Sequence, residues 1–190
     1  MIDVFVRVQP FYDDPIRYGL WKATKARWEA DPDCRLIPLF AGPDIRGVRL
    51  EAEQRAESDP YIFTDDDVLV LGHHWVKKAT GYLLAHPEYG IVSTLSMIEG
   101  ENLAKPGYFG NPSEVDSEIY DMFAVGAPMV IRKGICSDLP EMDINSECGK
   151  IHEHVLAKGL KEGLLNPALA LRHNHLGNGF SSNRSMAWGV

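Results

Sequence analysis

Residues 59–71 read Asp59-Pro60-Tyr61-Ile62-Phe63-Thr64-Asp65-Asp66-Asp67-Val68-Leu69-Val70-Leu71. Residues 61–64 are a short apolar run that fits a buried strand, bounded upstream by an Asp-Pro pair. The run meets three consecutive carboxylates, and the chain then turns apolar again. In an open α/β sheet, ligands bind in the crevice beyond the carboxyl ends of the strands, so acids placed there face the crevice. Three adjacent anions repel one another, and their crowding costs free energy unless a cation lies among them. On extended backbone Asp65 and Asp67 point to one side and Asp66 to the other. The pair is a two-pronged oxygen site suited to Mg2+ or Mn2+, ions that join one or two carboxylates to substrate phosphates. Taken alone, the triplet also fits a solvated turn with a helix cap, since Asp favours both.

The rest of the chain bounds what such a site could serve. At 190 residues and 45% hydrophobic, it suits one compact domain with a substantial core. A net charge of -8 argues against a general nucleic-acid binder. An anionic ligand would need local cations or a metal to offset that field. No apolar run reaches the roughly 18 residues of a membrane span. Residues 2–8 read as a strand rather than a signal peptide. The three cysteines, Cys34, Cys136 and Cys148, show no CxxC spacing, which fits a reduced, cytoplasmic protein.

Outward from the acids, strands and helices alternate. Val4, Val6 and Val8 mark a strand over 2–8, and Asp14-Pro15 opens a helix over 16–30 carrying Leu20, Trp21, Thr24 and Trp28. A second strand spans 34–40, followed by a helix of mixed charge over about 46–57. Beyond the acids come a helix over 72–85, a strand over 89–95 and a strand over 124–132. A helix over 147–160 is stopped near Gly159, and a last short strand covers 165–171. Residues 98–118 are irregular, and a segment of that length in a compact domain is usually functional or mobile. The tail 177–190 is rich in Gly, Ser and Asn and reads as flexible. This alternation implies a single-domain, mostly parallel α/β sheet flanked by helices. No GxGxxG follows the first strand and no GxxxxGK[ST] occurs, so dinucleotide and P-loop readings lose support.

Two further groups could complete the site. His173 and His175 follow the last strand, one residue apart, and neutral imidazole is a good ligand for Mn2+. Glu147 opens a helix, where the dipole favours its ionised form, and it could act as general base on an acceptor hydroxyl. A first-turn acid that only stabilises its helix is the competing reading.

The ordered set of these features resembles the GT-A glycosyltransferases of the family-2 kind, which carry a DxD motif on a Rossmann-like, nucleotide-diphospho-sugar-binding fold. The resemblance rests on the Pro10-x-Tyr12 loop after the first strand, Asp65-Asp66-Asp67, the Trp75-Val-Lys-Lys helix and Val125-Gly-Ala-Pro-Met-Val-Ile-Arg132. Glu147, 12 residues before Gly159, and the run Asn166-Pro-Ala-Leu-Ala-Leu-Arg-His173-Asn-His175 complete it. It covers most of the chain, with a domain expected over 1–176.

The resemblance implies metal-dependent transfer of a sugar from a nucleotide-diphosphate sugar, a UDP-sugar foremost, to the hydroxyl of a glycan or other acceptor. Asp65 would sit near the ribose or sugar, with Asp65 and Asp67 on the metal, His173 or His175 as further ligand, and Glu147 as base in an inverting, hexosyltransferase-type displacement. Gln9, Pro10 and Tyr12 would line the nucleobase pocket, with Asp44 and Asp66 also on the donor, and segment 97–121 would supply the acceptor site. Cys148 stands where the family has a second acid, and Phe40-Ala-Gly-Pro43 stands where an acid usually closes the second strand. A sugar-phosphate nucleotidyltransferase is the rival enzyme, although Gln9 to Asp14 lack the Gly and cations of its loop. A nucleotide-sugar-binding module without turnover is the other alternative. Oligomeric state is left open, a homo-oligomer included.

Overall fold

The computed structural model describes residues 1–9, 15–40, 44–70, 75–98, 119–121, 128–143 and 146–172; the side chains of 16, 69–70, 94–98, 120–121 and 166–172 fall outside that description. The elements run β1 (Ile2–Val8), α1 (Pro15–Glu29), β2 (Cys34–Phe40), α2 (Ile45–Arg55), β3 (Tyr61–Asp65), β4 (Val68–Val70), α3 (Trp75–Ala85), β5 (Tyr89–Ile98), β6 (Ile119–Asp121), β7 (Met129–Ile131), α4 (Glu147–Ala157) and β8 (Lys161–Arg172). They form one sheet in the order β2-β1-β3-β7-β5-β8-β4, with β6 also on β8. The pairs β1–β2, β1–β3 and β5–β8 are parallel. The pairs β3–β7, β5–β7, β4–β8 and β6–β8 are antiparallel. This is an α/β architecture of the expected class, and the acid triplet ends β3 beside the carboxyl end of β1.

Alternation along the strands builds two cores. Val4, Val6, Val8, Ile62, Val92 and Val130 face α1 and α3, meeting Trp21, Trp28, Trp75, Val76, Ala79 and Leu83. Phe5, Tyr61, Phe63, Ile91, Met129 and Ile131 face α2 and α4, meeting Val48, Ala52, Ile151 and Val155. Fully burying one such side chain contributes about 1.5–3 kcal/mol, so both helical layers are held mainly by apolar area.

Local chemistry sets where the elements stop. Pro15 opens α1, as the Asp14-Pro15 pair predicts, its fixed φ already helical. Asp44 caps α2 by accepting the Gly47 N–H at 2.8 Å. A Cβ at Gly47 would come within 2.2 Å of the Asp44 carboxylate, so a larger residue there would make the capping side chain shift. At the end of α4, Gly159 takes φ +72°, its N–H reaches Leu156 O, and the Leu160 N–H reaches Val155 O. That Schellman geometry releases the chain straight into β8.

The last strand therefore starts at Lys161, four residues before the expected 165. Lys161 and Glu162 gave no apolar pattern, yet both pair with β5, and Glu162 is buried because His152 Nδ1 lies 2.7 Å from its carboxylate. β5 also runs on to Ile98, and β6 adds a short strand to β8. The expected acceptor segment 97–121 thus begins and ends in strand, while 99–118 lie outside the described residues, as does the tail 177–190. Of the expected strand 124–132, the described part is Met129–Ile131. Among the described residues, no helix is long and apolar enough to cross a membrane.

Candidate functional site

The acid triplet is buried, and its members go three ways. Asp65, Asp66 and Asp67 are 8%, 1% and 7% exposed. Asp65 is the last residue of β3 and lies in register with Arg7 of β1, on the face toward α2 and α4. Arg7 Nη2 sits 2.6 Å from Asp65 Oδ1. Asp66 and Asp67 form the two-residue turn from β3 to β4. Asp66 turns to α1: its Oδ1 meets Arg17 Nη2 at 2.6 Å and its Oδ2 accepts the Gln9 N–H at 2.9 Å. Burial pushes the Asp66 carboxyl up to about 6, against the pull of Arg17, with Asp67 adding to the rise. Asp67 Oδ1 is buried and finds no hydrogen-bond donor among the described residues.

Below the corner, Arg7 joins a second carboxylate. Its Nη1 lies 3.6 Å from Glu147 Oε2 at the first residue of α4, and Arg49 Nε of α2 holds Glu147 Oε1 at 2.5 Å. The Arg49 guanidinium lies over the Phe63 ring, 4.2 Å from its centroid, and bonds Met129 Sδ at 3.8 Å. Burial works against the Arg49 charge, but Glu147 holds it above its ordinary value. Asp65, Arg7, Glu147 and Arg49 thus make a neutral chain of charges inside the α2/α4 layer. Desolvation of such a chain is offset only while every member keeps its partner.

A carboxylate oxygen buried without a donor costs free energy that a cation would offset. Asp67 Oδ1 fits a divalent ion in this sense. Among the described residues no three His, Cys, Asp or Glu side chains come together as a metal site. His173 and His175 lie outside the described residues, as do Pro10 and Tyr12. Gln9 follows β1 directly and is tied by its N–H to Asp66. Asp44 is exposed, at the entry to α2, where it caps the helix.

Arg17 and the pairing of Glu147 with Arg49 are not among the residues singled out from the sequence. The signal was present in the pattern. Alternation puts Asp3, Phe5 and Arg7 on one strand face, and helical spacing puts Arg49 and Glu53 with Ile45, Val48 and Ala52 on the buried face of α2. Charges on a face that must be buried have to find opposite charges.

No family model matches the sequence, and no curated protein is significantly similar to it. Solved structures share its fold at low identity. Glucosyl-3-phosphoglycerate synthase from Mycobacterium tuberculosis, in complex with Mn2+, UDP-glucose and phosphoglyceric acid, aligns with 100% of this chain and 77% of its own, at TM-score 0.60 and 13% identity. Residues 1–349 of TarS from S. aureus, in complex with UDP-GlcNAc, align with 96% of this chain and 61% of that one, at TM-score 0.55 and 10% identity. A mycobacterial protein aligns over 94% of this chain and 69% of its own, at TM-score 0.55 and 12% identity. The fold is that of the GT-A glycosyltransferases.

Proposed function

We propose that this chain transfers a sugar from a nucleotide-diphosphate sugar, a UDP-sugar foremost, to a hydroxyl of a glycan or other acceptor, with Mn2+ or Mg2+ at the acid corner. The observation that carries the reading is Asp67: a buried carboxylate oxygen without a donor among the described residues, at the carboxyl end of β3 on a GT-A sheet. The UDP-sugar complexes of two solved neighbours, one with Mn2+, support the donor class and the metal.

Asp67 would hold the ion, with Asp65 beside it and His173 or His175 completing the set. When bound, the ion supplies positive charge for the departing diphosphate. Gln9, Pro10 and Tyr12 would line the nucleobase pocket, with Asp44 near it and Asp65 by the ribose or sugar. The bond from the anomeric carbon to the diphosphate oxygen breaks as the acceptor oxygen bonds that carbon from the opposite face. That displacement is inverting, Glu147 would take the acceptor's hydroxyl proton, and the sugar transferred would be a hexose. Segment 97–121 would hold the acceptor. Three unbridged thiols support a reduced, cytoplasmic setting.

A second reading, donor binding without turnover, is favoured by one observation. Both Glu147 oxygens face buried guanidiniums, so the carboxylate is already engaged within the protein, and Cys148 follows where a second acid would stand.

The test is thermal stabilisation by UDP-, GDP-, CDP- and dTDP-sugars, with and without Mn2+. One nucleotide class should stabilise the protein only with metal, and Asp67→Ala should lose that shift. The apo protein should be no less stable in Asp67→Ala, since the change removes a buried carboxylate whose Oδ1 has no donor among the described residues. If no donor shifts the melting temperature in either condition, the proposal fails. Sugar transfer or donor hydrolysis in the wild type then separates enzyme from binding module.

A further inference from the structure

We infer that Asp66 is a positioning residue of the donor site: one buried carboxylate ties the end of β1 to the start of α1 and does not touch the donor. Its consequence for donor binding rests on the glycosyltransferase reading above; its geometry does not.

Asp66 is 1% exposed, and both its oxygens are spent within the protein. Oδ2 accepts the N–H of Gln9, the first residue past β1, from 57 positions away. Oδ1 holds Arg17, in the first turn of α1, from 49 positions away. The same helix is tied to the chain just after the triplet a second time, by Thr24 Oγ1 donating to Val68 O at 3.5 Å. The five residues 10–14 therefore leave and re-enter the described structure at two points held by one side chain. Two of them, Pro10 and Tyr12, are the proposed nucleobase contacts.

An acid with a donor N–H on one oxygen and a guanidinium on the other has little left for a ribose or a metal. What it supplies is preorganisation: with both flanks fixed before the nucleotide arrives, less ordering is left to oppose binding. Hydrogen bonds to charged groups are the strong ones, so losing this pair should be felt at both flanks together. Asp66 also sits one residue from Asp65 and one from Asp67, so the turn that aims Asp67 and the flanks of the nucleobase segment share a single fixed point.

The experiment uses the full chain with three variants, Asp66→Ala, Asp66→Asn and Arg17→Gln. The first readout is backbone hydrogen exchange of the Gln9 amide in the apo protein, which needs no substrate. The second is the affinity for UDP and for the best-binding UDP-sugar, with the split between KM and kcat where transfer is measurable. Exchange at Gln9 should be fastest in Asp66→Ala and partly restored in Asp66→Asn, whose amide oxygen still accepts that N–H. UDP affinity should fall about tenfold to a hundredfold in Asp66→Ala. Arg17→Gln should share the direction of the loss, with KM rising and kcat within about twofold. If Gln9 exchange in Asp66→Ala stays at the wild-type rate, the tie is not there and the inference falls. If the wild type binds nucleotide and all three variants bind it within about twofold as well, the positioning role falls while the glycosyltransferase reading stands. If the wild type binds no nucleotide, that reading falls, and with it the donor-site role of Asp66, even where Gln9 exchange shows the tie. Arg17→Gln leaves the corner carboxylates in place, so the inference stays testable if Asp66→Ala does not fold.

Discussion

Replacing Glu147 by Gln removes one negative charge from a site built around it. Glu147 Oε1 lies 2.5 Å from Arg49 Nε and its Oε2 lies 3.6 Å from Arg7 Nη1. Arg49 is only 4% exposed, packed over Phe63, so after the substitution its charge remains in the core without a carboxylate beside it. Arg7 still has Asp65 at 2.6 Å. The loss is that of one broken buried pair, about 3–5 kcal/mol. For a domain of this size about 1 kcal/mol moves Tm by 2–4 °C, so Glu147→Gln should melt roughly 6–20 °C lower. Arg49→Met alone should cost a comparable amount, because it leaves Glu147 with the more distant Arg7. The double variant Arg49→Met, Glu147→Gln should recover most of the loss, since both charges leave and an apolar chain lies on Phe63. Thermal and urea denaturation of the four proteins at pH 7 measure the cycle, and activity is compared well below the lowest Tm. A Glu147→Gln protein melting within about 2 °C of wild type would refute the pairing, and lost transfer there would then be read directly as loss of a base.

Two further outcomes test the frame around the site. Burial raises the Asp3 carboxyl, yet Arg35 and the N–H groups of Ser58 and Glu57 hold it below its ordinary value. Its folded pKa is depressed, so its contribution is present at neutral pH and is lost as pH falls below the unfolded carboxyl value of about 4 toward the folded one. Wild type should therefore lead Asp3→Asn in denaturation at pH 7 by more than at pH 3, and an equal gap at both would contradict the linkage. Burial likewise pushes the Cys136 thiol up to about 11 and the Cys34 thiol up to about 12. At pH 8 both should alkylate at least about a hundredfold more slowly than in the denatured chain, whose thiols titrate near 8.5. Peptide mass spectrometry after iodoacetamide checks this, and Cys136 labelling at the denatured rate would overturn it.

What could be read from the sequence and what could not divides along a physical line. Periodicity, proline and glycine act locally, so the alternation in β1, Pro15 at the start of α1, the stop at Gly159 and the acids at the end of β3 were all visible. Pairing acts across the chain. Lys161 and Glu162 carry no apolar pattern, and it is pairing with β5 and the contact of Glu162 with His152 that place them in the strand. Asp65 ends β3 while Asp66 already lies in the turn, and where their carboxylates go depends on Arg7 and Arg17, 58 and 49 positions upstream. A single sequence announces such pairs only indirectly, through charges at positions that periodicity marks as buried.

Those two arginines also explain how three adjacent carboxylates survive burial. Arg7 answers Asp65 from the α2/α4 face, Arg17 answers Asp66 from the α1 side, and Arg49 answers Glu147, so among the described residues one negative charge, that of Asp67, is left without a counter-ion at the corner. One unit charge meeting another at about 4 Å costs on the order of 4 kcal/mol near a protein surface. Under the proposed function, a diphosphate would meet that repulsion at every approach to the bare corner. A divalent ion turns the corner from minus one to plus one, and the same Coulomb energy then changes sign. The guanidiniums cannot do this themselves, because each is held by a carboxylate on its own face of the sheet. Metal dependence would then follow from charge placement: among the described residues two acids of the triplet are neutralised by arginines, and the third is left for an ion to answer.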